Sequence, residues 1–309
     1  MTKDIKTGKP QRIGPLEVWP LMWSGLSDAI YRTPPFTNEL KFEEYDDGDG
    51  PRVSCIAVEN LSDKDFLIPS GWIVGAELLQ VRSFNSAELV PAGHSILADV
   101  SCVEQGRWSM GVNRTDAGRA PLTVLAAGYD YEAESGSWRI NPHSRQSRVW
   151  SQVARQENRS GVRQTNSLEQ IMREDATSDL NVSNLQFEIA SELKTFDGQN
   201  GALIAFQGEP LIMEFFSNEE SSKHVLKETL NSLAFDLDQF GFRPLNKSQI
   251  DGFIAMSGIG DLHALSEDTW SLLMAGGNER IDTRATADSR QKIMNLTSIN
   301  RSHRILMEV

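Results

Sequence analysis

The sequence predicts an α+β fold in which a β-sandwich-like or strongly twisted antiparallel N-terminal half packs on an α+β C-terminal half. Three observations predict it. Short alternating segments separated by Gly-, Pro- and Asp-rich turns fill the chain up to about Ser135. Beyond that point apolar residues recur at steps of three and four. No Pro- or Ser-rich linker divides the two textures, so 13–135 and 136–309 read as halves of one integrated unit.

Residues 1–12 read as a flexible tail: MTKDIKTGKPQ is polar, has no apolar h-region and is not a signal peptide. IGPLEVWPLMW and LKFEEY follow as strands, and DDGDGP ends the second of them. RVSCIAVEN alternates as a strand does, NLSDKD turns the chain, and FLIPSGWIVGAELLQVRSF holds one or two more strands before the LVPAG turn. HSILADVSCVE alternates most cleanly: His94, Ile96, Ala98, Val100, Cys102 and Glu104 share one face, with Ser95, Asp99 and Ser101 opposite. Regularly spaced short strands of this kind suggest a sandwich or a strongly bent sheet. SMGVNRTDAGRA (109–120) reads as an exposed loop.

In the second half, Val149 and Val153 fit a helix over 144–159. Val182, Leu185, Ile189, Leu193 and Phe196 mark another that Gly198 is placed to stop. GALIAF and PLIMEFF flank QGE as a β-hairpin. Ser217 and Glu220 have capping-box spacing ahead of a helix whose stripe is Leu226, Leu230, Leu233 and Leu237. A helix near 247–255, Gly-rich connections and a terminal strand in HRILMEV complete the expectation.

Composition narrows the function classes. The 309 residues include 39% hydrophobic ones, as in a packed globular chain rather than a disordered one. Thirty Lys and Arg against 43 Asp and Glu give a net charge of −13. That balance opposes sequence-independent nucleic-acid binding and a polybasic membrane surface. The two cysteines, Cys55 and Cys102, form neither a disulfide framework nor a C-x-x-C metal spacing. No stretch approaches the roughly 18 apolar residues of a membrane span. A cytoplasmic, reduced protein is expected.

Two constellations carry possible chemistry. SCVEQGRW (101–108) ends the alternating strand with a thiol, a carboxylate, an amide, a guanidinium and an indole. Glu104 on the inward side of a sheet needs a partner, because burying a carboxylate is costly unless it is paired. With Arg107 it makes either a structural pair that fixes a turn, with Trp108 over the core edge, or a polar cluster in which Glu104 is the acid or base and Arg107 holds an anion. Cys102 to Arg107 is C-x4-R, one residue short of the tyrosine-phosphatase spacing, and a cysteine in an apolar strand is usually an inert core residue. The second constellation is Arg139, Arg145, Arg148, Arg155, Arg159 and Arg163, interrupted only by Glu157. On a helix Arg145, Arg148, Arg155 and Arg159 form one stripe that either grips phosphates bidentately or lies solvated among acids. SGIGD and AGGN lack the strand–GxGxxG–helix context of a dinucleotide site, and the five histidines form no ligand pair. No motif calls for a cofactor or a metal.

The run GAELLQVRSFNSAELVPAGHSILADVSCVEQGRW resembles the core of a family named for its association with ADP-ribosylglycohydrolases and rhodanese-like phosphatases. LVPAG (89–93) and SCVEQGRW match its pattern nearly residue for residue. Gln80, Arg82, Asn85 and Ser86 resemble its QNR and NTS elements if Leu78 and Leu79 are an insertion. QSRVWSQV (146–153) is similar to its Q-x-x-VW-x-x-V helix, and the hairpin places Glu214 on its glutamate. The likeness spans most of residues 13–240. Trp72 stands where the family usually has Glu, and Glu77 where it has Lys.

The resemblance implies a role near ADP-ribose or NAD-derived nucleotides. Glu104 and Arg107 are then the catalytic candidates. Gln80, Arg82, Asn85, Trp108, Arg148, Trp150 and Glu214 are the ligand-binding ones, Arg148 for the pyrophosphate and Trp108 or Trp150 for the base. The alternative is a non-catalytic scaffold or partner-binding protein in which SCVEQGRW is structural; either reading is compatible with an oligomer.

Overall fold

Alternation places side chains on opposite faces of a strand, and two antiparallel sheets use this to build separate cores. The computed structural model describes residues 4–36, 38–48, 51–76, 79–104, 118–129, 142–160, 167–237 and 241–307. The chain opens with strands β1 (Ile5–Thr7), β2 (Gln11–Ile13) and β3 (Leu16–Trp23). Then come β4 (Leu40–Asp46), β5 (Pro51–Asn60), β6 (Phe66–Ile68), β7 (Ile73–Ala76), β8 (Leu79–Phe84), β9 (Glu88–Val90) and β10 (Ser95–Cys102). Helices α1 (Leu122–Gly128), α2 (Pro142–Ser160), α3 (Leu168–Ser178) and α4 (Leu180–Glu192) precede a hairpin of β11 (Gly201–Phe206) and β12 (Glu209–Phe216). Last are α5 (Glu219–Leu233), α6 (Lys247–Met256), β13 (His263–Glu267), β14 (Ser271–Gly277), β15 (Ile281–Asp288) and β16 (Ile293–Asn300). The protein is α+β with a strand-rich N-terminal half, as its sequence predicts.

The larger sheet runs β1-β3-β11-β12-β16-β15-β14-β13, with β2 also on β3. Along β11, Ala202, Ile204 and Phe206 pack toward α1, α4 and α5, while Leu203 and Ala205 pack with Met213 and Phe215 toward α6. The sheet is thus a middle layer between helices. Gly201 starts β11 tight against β12. A methyl group there would stand 2.3 Å from the Phe215 ring and 2.6 Å from the Glu214 carbonyl oxygen.

The smaller sheet, β4-β5-β10-β8-β7, is curled. β4 and β8 are three strand steps apart, about 14 Å in a flat sheet. Yet Glu44 of β4 accepts from the Gln80 backbone N–H at 3.2 Å and, on its two oxygens, from the Arg82 guanidinium at 3.0 and 3.1 Å. Only strong curvature brings those groups together. Inside the curl, Ile96, Ala98 and Val100 of β10 pack with Phe36, Phe66, Trp72 and Phe84. Trp72 is 1% exposed and extends this core.

Several expectations are corrected. From Ile5 onward the supposed tail forms two edge strands on β3, with Thr7 opposite Leu21 and Ile13 opposite Leu16. An edge strand is held by backbone bonds, which polar composition does not forbid. α5 is capped by Asn218, whose side chain accepts from the Ser221 N–H, one residue after the Ser217 cap expected. α4 ends at Glu192, so Phe196 lies beyond it, and Gly198 (φ +76°) turns the chain afterwards. β13–β16 were not expected. β15 (IDTRATAD) is buried throughout although five of its eight residues are polar, so its period-two signal is lost. Residues 301–307 form turns rather than a terminal strand. No described helix is long and apolar enough to cross a membrane.

Overpacking a well-filled site costs about 1–3 kcal/mol, and at Gly201 one of the obstacles is backbone. Gly201→Ala is expected to lose at least that much stability, measured as a lower urea midpoint with an unchanged slope.

Candidate functional site

Alternation along β8 and β10 assembles the polar end of the curled sheet. Gln80, Arg82 and Cys102 project on the face that carries Phe84 and Val100, so they continue the apolar interior as a polar patch. Arg82, 1% exposed, donates to the Gln80 side-chain oxygen (3.0 Å) as well as to Glu44. The Cys102 thiol donates to the Glu104 carbonyl oxygen at 3.0 Å, and burial pushes its pKa up. A thiol so held is a poor nucleophile. Glu104 is 6% exposed, and its Oε2 accepts from the Val81 N–H at 3.2 Å. Residues 103 and 104 also bind the start of α3, through the Leu168 N–H to the Val103 carbonyl oxygen (3.0 Å) and a Glu104–Ser167 bridge.

Gln80, Arg82 and Glu104 therefore converge, together with Glu44 and Gln146, which sequence reasoning missed. The Gln146 side chain from α2 clamps the Cys102 backbone, accepting from its N–H (2.9 Å) and donating to its carbonyl oxygen (2.7 Å). Its signal was available, since it heads QSRVWSQV. Arg107 and Trp108 lie outside the described residues. Asn85 stands on the opposite face, where its Oδ1 accepts from the Ser101 hydroxyl at 2.8 Å and lies against Gly128 of α1. Arg148 and Trp150 are half-buried on α2.

The expected arginine stripe does not act as a unit, because residues 145 and 159 are about 21 Å apart along a helix. Arg145, 2% exposed, forks onto Asp99 of β10. Arg159, at the other end, donates to the carbonyl oxygens of Phe235 and Leu237.

Glu214 belongs to a different network, centred on Arg119. Arg119 falls in the stretch expected as an exposed loop and is 2% exposed. Gly118–Ala120 is laced onto residues 71–73: the Ile73 N–H donates to the Gly118 carbonyl oxygen (2.9 Å), and the Ala120 N–H to that of Gly71 (2.8 Å). Gly71 adopts φ +76°, and the Arg119 side chain passes about where a Cβ would sit, 3.5 Å away. The guanidinium then meets Glu214 at 2.6 Å on both oxygens and the Ser70 carbonyl oxygen at 3.0 Å. Thr229 and Thr297 donate to the same carboxylate at 2.8 and 3.0 Å. Burial alone would lower the Arg119 pKa, but the Glu214 charge outweighs it and leaves it raised. Tyr129 donates to the Ser70 hydroxyl at 3.0 Å, and burial pushes its pKa up to about 12.

Three cavities surround the turn that follows α5. One of about 350 Å³ is lined by Gly118, Glu169, Arg173, Lys227, Glu228 and Asn231, with Met172 and Phe235 as apolar wall. A second, about 210 Å³, is lined by Thr123, Arg155, Gln156, Arg159, Asp236 and Arg304. A third, about 520 Å³, has Leu185, Ala234 and Leu237 along it and Arg12 stacked 4.5 Å over the Phe242 ring. Asp236 accepts from the Leu122 N–H (2.5 Å), the Thr123 hydroxyl (2.7 Å) and the Gln156 amide (2.7 Å). Burial raises its pKa to about 6, against the opposing pull of Thr123 and Arg159. Among the described residues, no group of three or more His, Cys, Asp or Glu gathers to hold a metal ion.

Two outcomes follow from the buried charges. Removing one partner of a buried pair strands the other, at about 3–5 kcal/mol. Arg119→Met should lose that much in chemical denaturation, and Arg119→Met with Glu214→Leu should recover part of it. For Asp236 the folded pKa lies above the unfolded one, so its contribution to stability is full below about pH 4 and lost as pH rises through 6. The lost amount is about 3 kcal/mol for a shift of roughly two units. The stability gap between wild type and Asp236→Asn should accordingly shrink by about that much from pH 4 to pH 7.

Comparison with known proteins places this geometry in a family. No curated protein and no solved structure matches the chain. The family model described as the ARG and Rhodanese-Phosphatase-superfamily-associated Protein domain matches residues 4–269. That span takes in the curled sheet, the Arg119–Glu214 network and the three cavities' helical walls, and the chain belongs to this family.

Proposed function

We propose that the protein binds a phosphorylated nucleoside of the ADP-ribose or NAD-derived class in the cavity beneath Gly118 and Arg119. The observation that carries this reading is the cavity's mixed lining. Arg173 and Lys227 offer cations for phosphate oxygens, while Glu169, Glu228, Gln186 and Asn231 offer acceptors and amides for ribose hydroxyls. Met172, Ala190 and Phe235 supply an apolar wall. Its volume of about 350 Å³ lies in the usual range for small-molecule sites, roughly 300–1,000 Å³. The family's association with ADP-ribose-handling enzymes points to the same chemistry.

In this reading binding precedes any catalytic claim. Glu104 is engaged by the Val81 N–H, and Arg82, Arg145 and Arg119 are committed to Glu44, Asp99 and Glu214. Those pairings favour a structural role for the residues around SCVEQGRW, and they are also what a purely scaffolding protein would have.

Calorimetry with ADP-ribose and with NAD separates the two. Binding at millimolar concentration or tighter, weakened at least tenfold by Lys227→Met and by Glu228→Gln without a change in melting temperature, is the expected result. Absence of heat from both ligands at millimolar concentration would leave the scaffold reading in its place.

A further inference from the structure

Another cavity, of about 350 Å³, opens among turns that belong to both sheets. Tyr31 lies between β3 and β4, Asp65 leads into β6, and His94 leads into β10. Trp270 sits in the turn between β13 and β14, and Arg290 in that between β15 and β16. Leu89 and Met294 belong to the small apolar core that these turns cover.

Three rings thus share one small space. Those of His94 and Trp270 lie 4.5 Å apart and 56° from parallel, so they form an open corner rather than a closed stack. Trp270 keeps 38% of its surface exposed. The Tyr31 hydroxyl is already spent, donating to the Met294 carbonyl oxygen at 2.9 Å and accepting from the Ser217 N–H at 3.0 Å. What the phenol has left to offer is its ring.

Most acceptors of the lining are spent as well. Asp288 takes four donors: the Ser27 hydroxyl (2.6 Å), the Arg290 guanidinium (3.0 Å), and the Arg290 and Lys292 backbone N–H groups (2.9 and 3.0 Å). The same guanidinium reaches Asp28, so its charge is shared between two carboxylates. The carbonyl oxygens of Ala92 and Pro91 accept from the His94 ring (2.7 Å) and the His94 N–H (3.1 Å). Asp65 differs. One of its oxygens accepts from the Ala92 N–H at 2.9 Å, and among the described residues the other has no partner. Arg32, bonded through its backbone N–H to the Asp65 carbonyl oxygen, sends its guanidinium to Glu39 instead.

From this lining we infer a second site, apart from the nucleotide cavity, that takes a small quaternary or trimethylated ammonium ion against Trp270, Tyr31 and the Asp65 carboxylate. Such an ion has no N–H to satisfy. It is held by aromatic faces and a nearby negative charge, and Trp is the best of the aromatic faces. A primary ammonium brings three donors, for which the lining keeps little beyond one carboxylate oxygen. The volume lies near the lower end of small-molecule sites, roughly 300–1,000 Å³, which suits a compact amine.

Choline chloride is the probe, because its charge does not change with pH. The full chain is titrated calorimetrically against sodium chloride of equal ionic strength. Neohexanol, the uncharged carbon isostere of choline, and ethanolamine, which carries the charge with its N–H donors, are the further arms. The expected result is saturable choline binding at millimolar concentration or tighter, about tenfold or more ahead of both other compounds. Trp270→Ala should weaken it about tenfold or more and Trp270→Phe less, since Phe keeps an aromatic face. Asp65→Asn keeps an acceptor for the Ala92 N–H while removing the charge, and should weaken choline several-fold without a change in melting temperature. Choline indistinguishable from sodium chloride overturns the inference, as does neohexanol or ethanolamine binding as tightly as choline. Affinity unchanged in both Trp270→Phe and Asp65→Asn overturns it too. The two cavities share no lining residue, so this test and that of the nucleotide site succeed or fail independently.

Discussion

The Arg119–Glu214 pair is the contact on which the architecture depends. Neither charge would be tolerated alone at its depth, since an isolated buried ion costs several kcal/mol after relaxation. Each is completed by neighbours from different parts of the chain: Ser70 beside the curled sheet, Thr229 on α5, and Thr297 on β16. The pair therefore joins the smaller sheet, the larger sheet and a helix at one point. It also sets the position of Gly118, and with it the rim of the cavity lined by Glu169, Arg173, Lys227 and Glu228. An ordinary apolar contact there would hold the layers together but would not specify their orientation so narrowly.

A second electrostatic closure, Arg82 with Glu44, does the same for the curled sheet. Hydrogen-bond ladders fix neighbours only, whereas this contact spans three strand steps and so selects the curvature. Gln146 then ties α2 to the strand end through the Cys102 backbone. The described part of the family block, residues 101–104, thus serves to seat two helices on the sheet. That accounts for a dense set of polar side chains in a place where an isolated reading suggests catalysis.

What the chain revealed before its structure follows a physical rule. Where one face of an element is apolar and the other polar, the pattern is visible: β10, the β11–β12 hairpin and Leu226, Leu230 and Leu233 of α5 lie where their periodicity indicates, whereas Leu237 falls beyond the end of that helix. Where both faces are buried or both are polar, it is not. β15 hides Asp282, Thr283, Arg284 and Thr286 inside the molecule, and β1 and β2 are edge strands with little apolar content. The candidate site divides in the same way. Gln80, Arg82 and Glu104 meet because alternation puts them near one strand end. Glu44 could not be read as their partner, nor Arg119 as that of Glu214, because only long-range packing brings those positions close. The arginine stripe was correctly placed on a helix, but side chains 21 Å apart along an axis meet different surroundings.

The turn after α5 has a property that none of its residues has alone. Phe235 faces one cavity, Asp236 the next, and Ala234 and Leu237 the third, and Arg159 fastens this short segment to α2. One short run of backbone is therefore the partition common to all three hollows, and whatever fixes its path, here the Arg159 fork, helps to fix the shape of each.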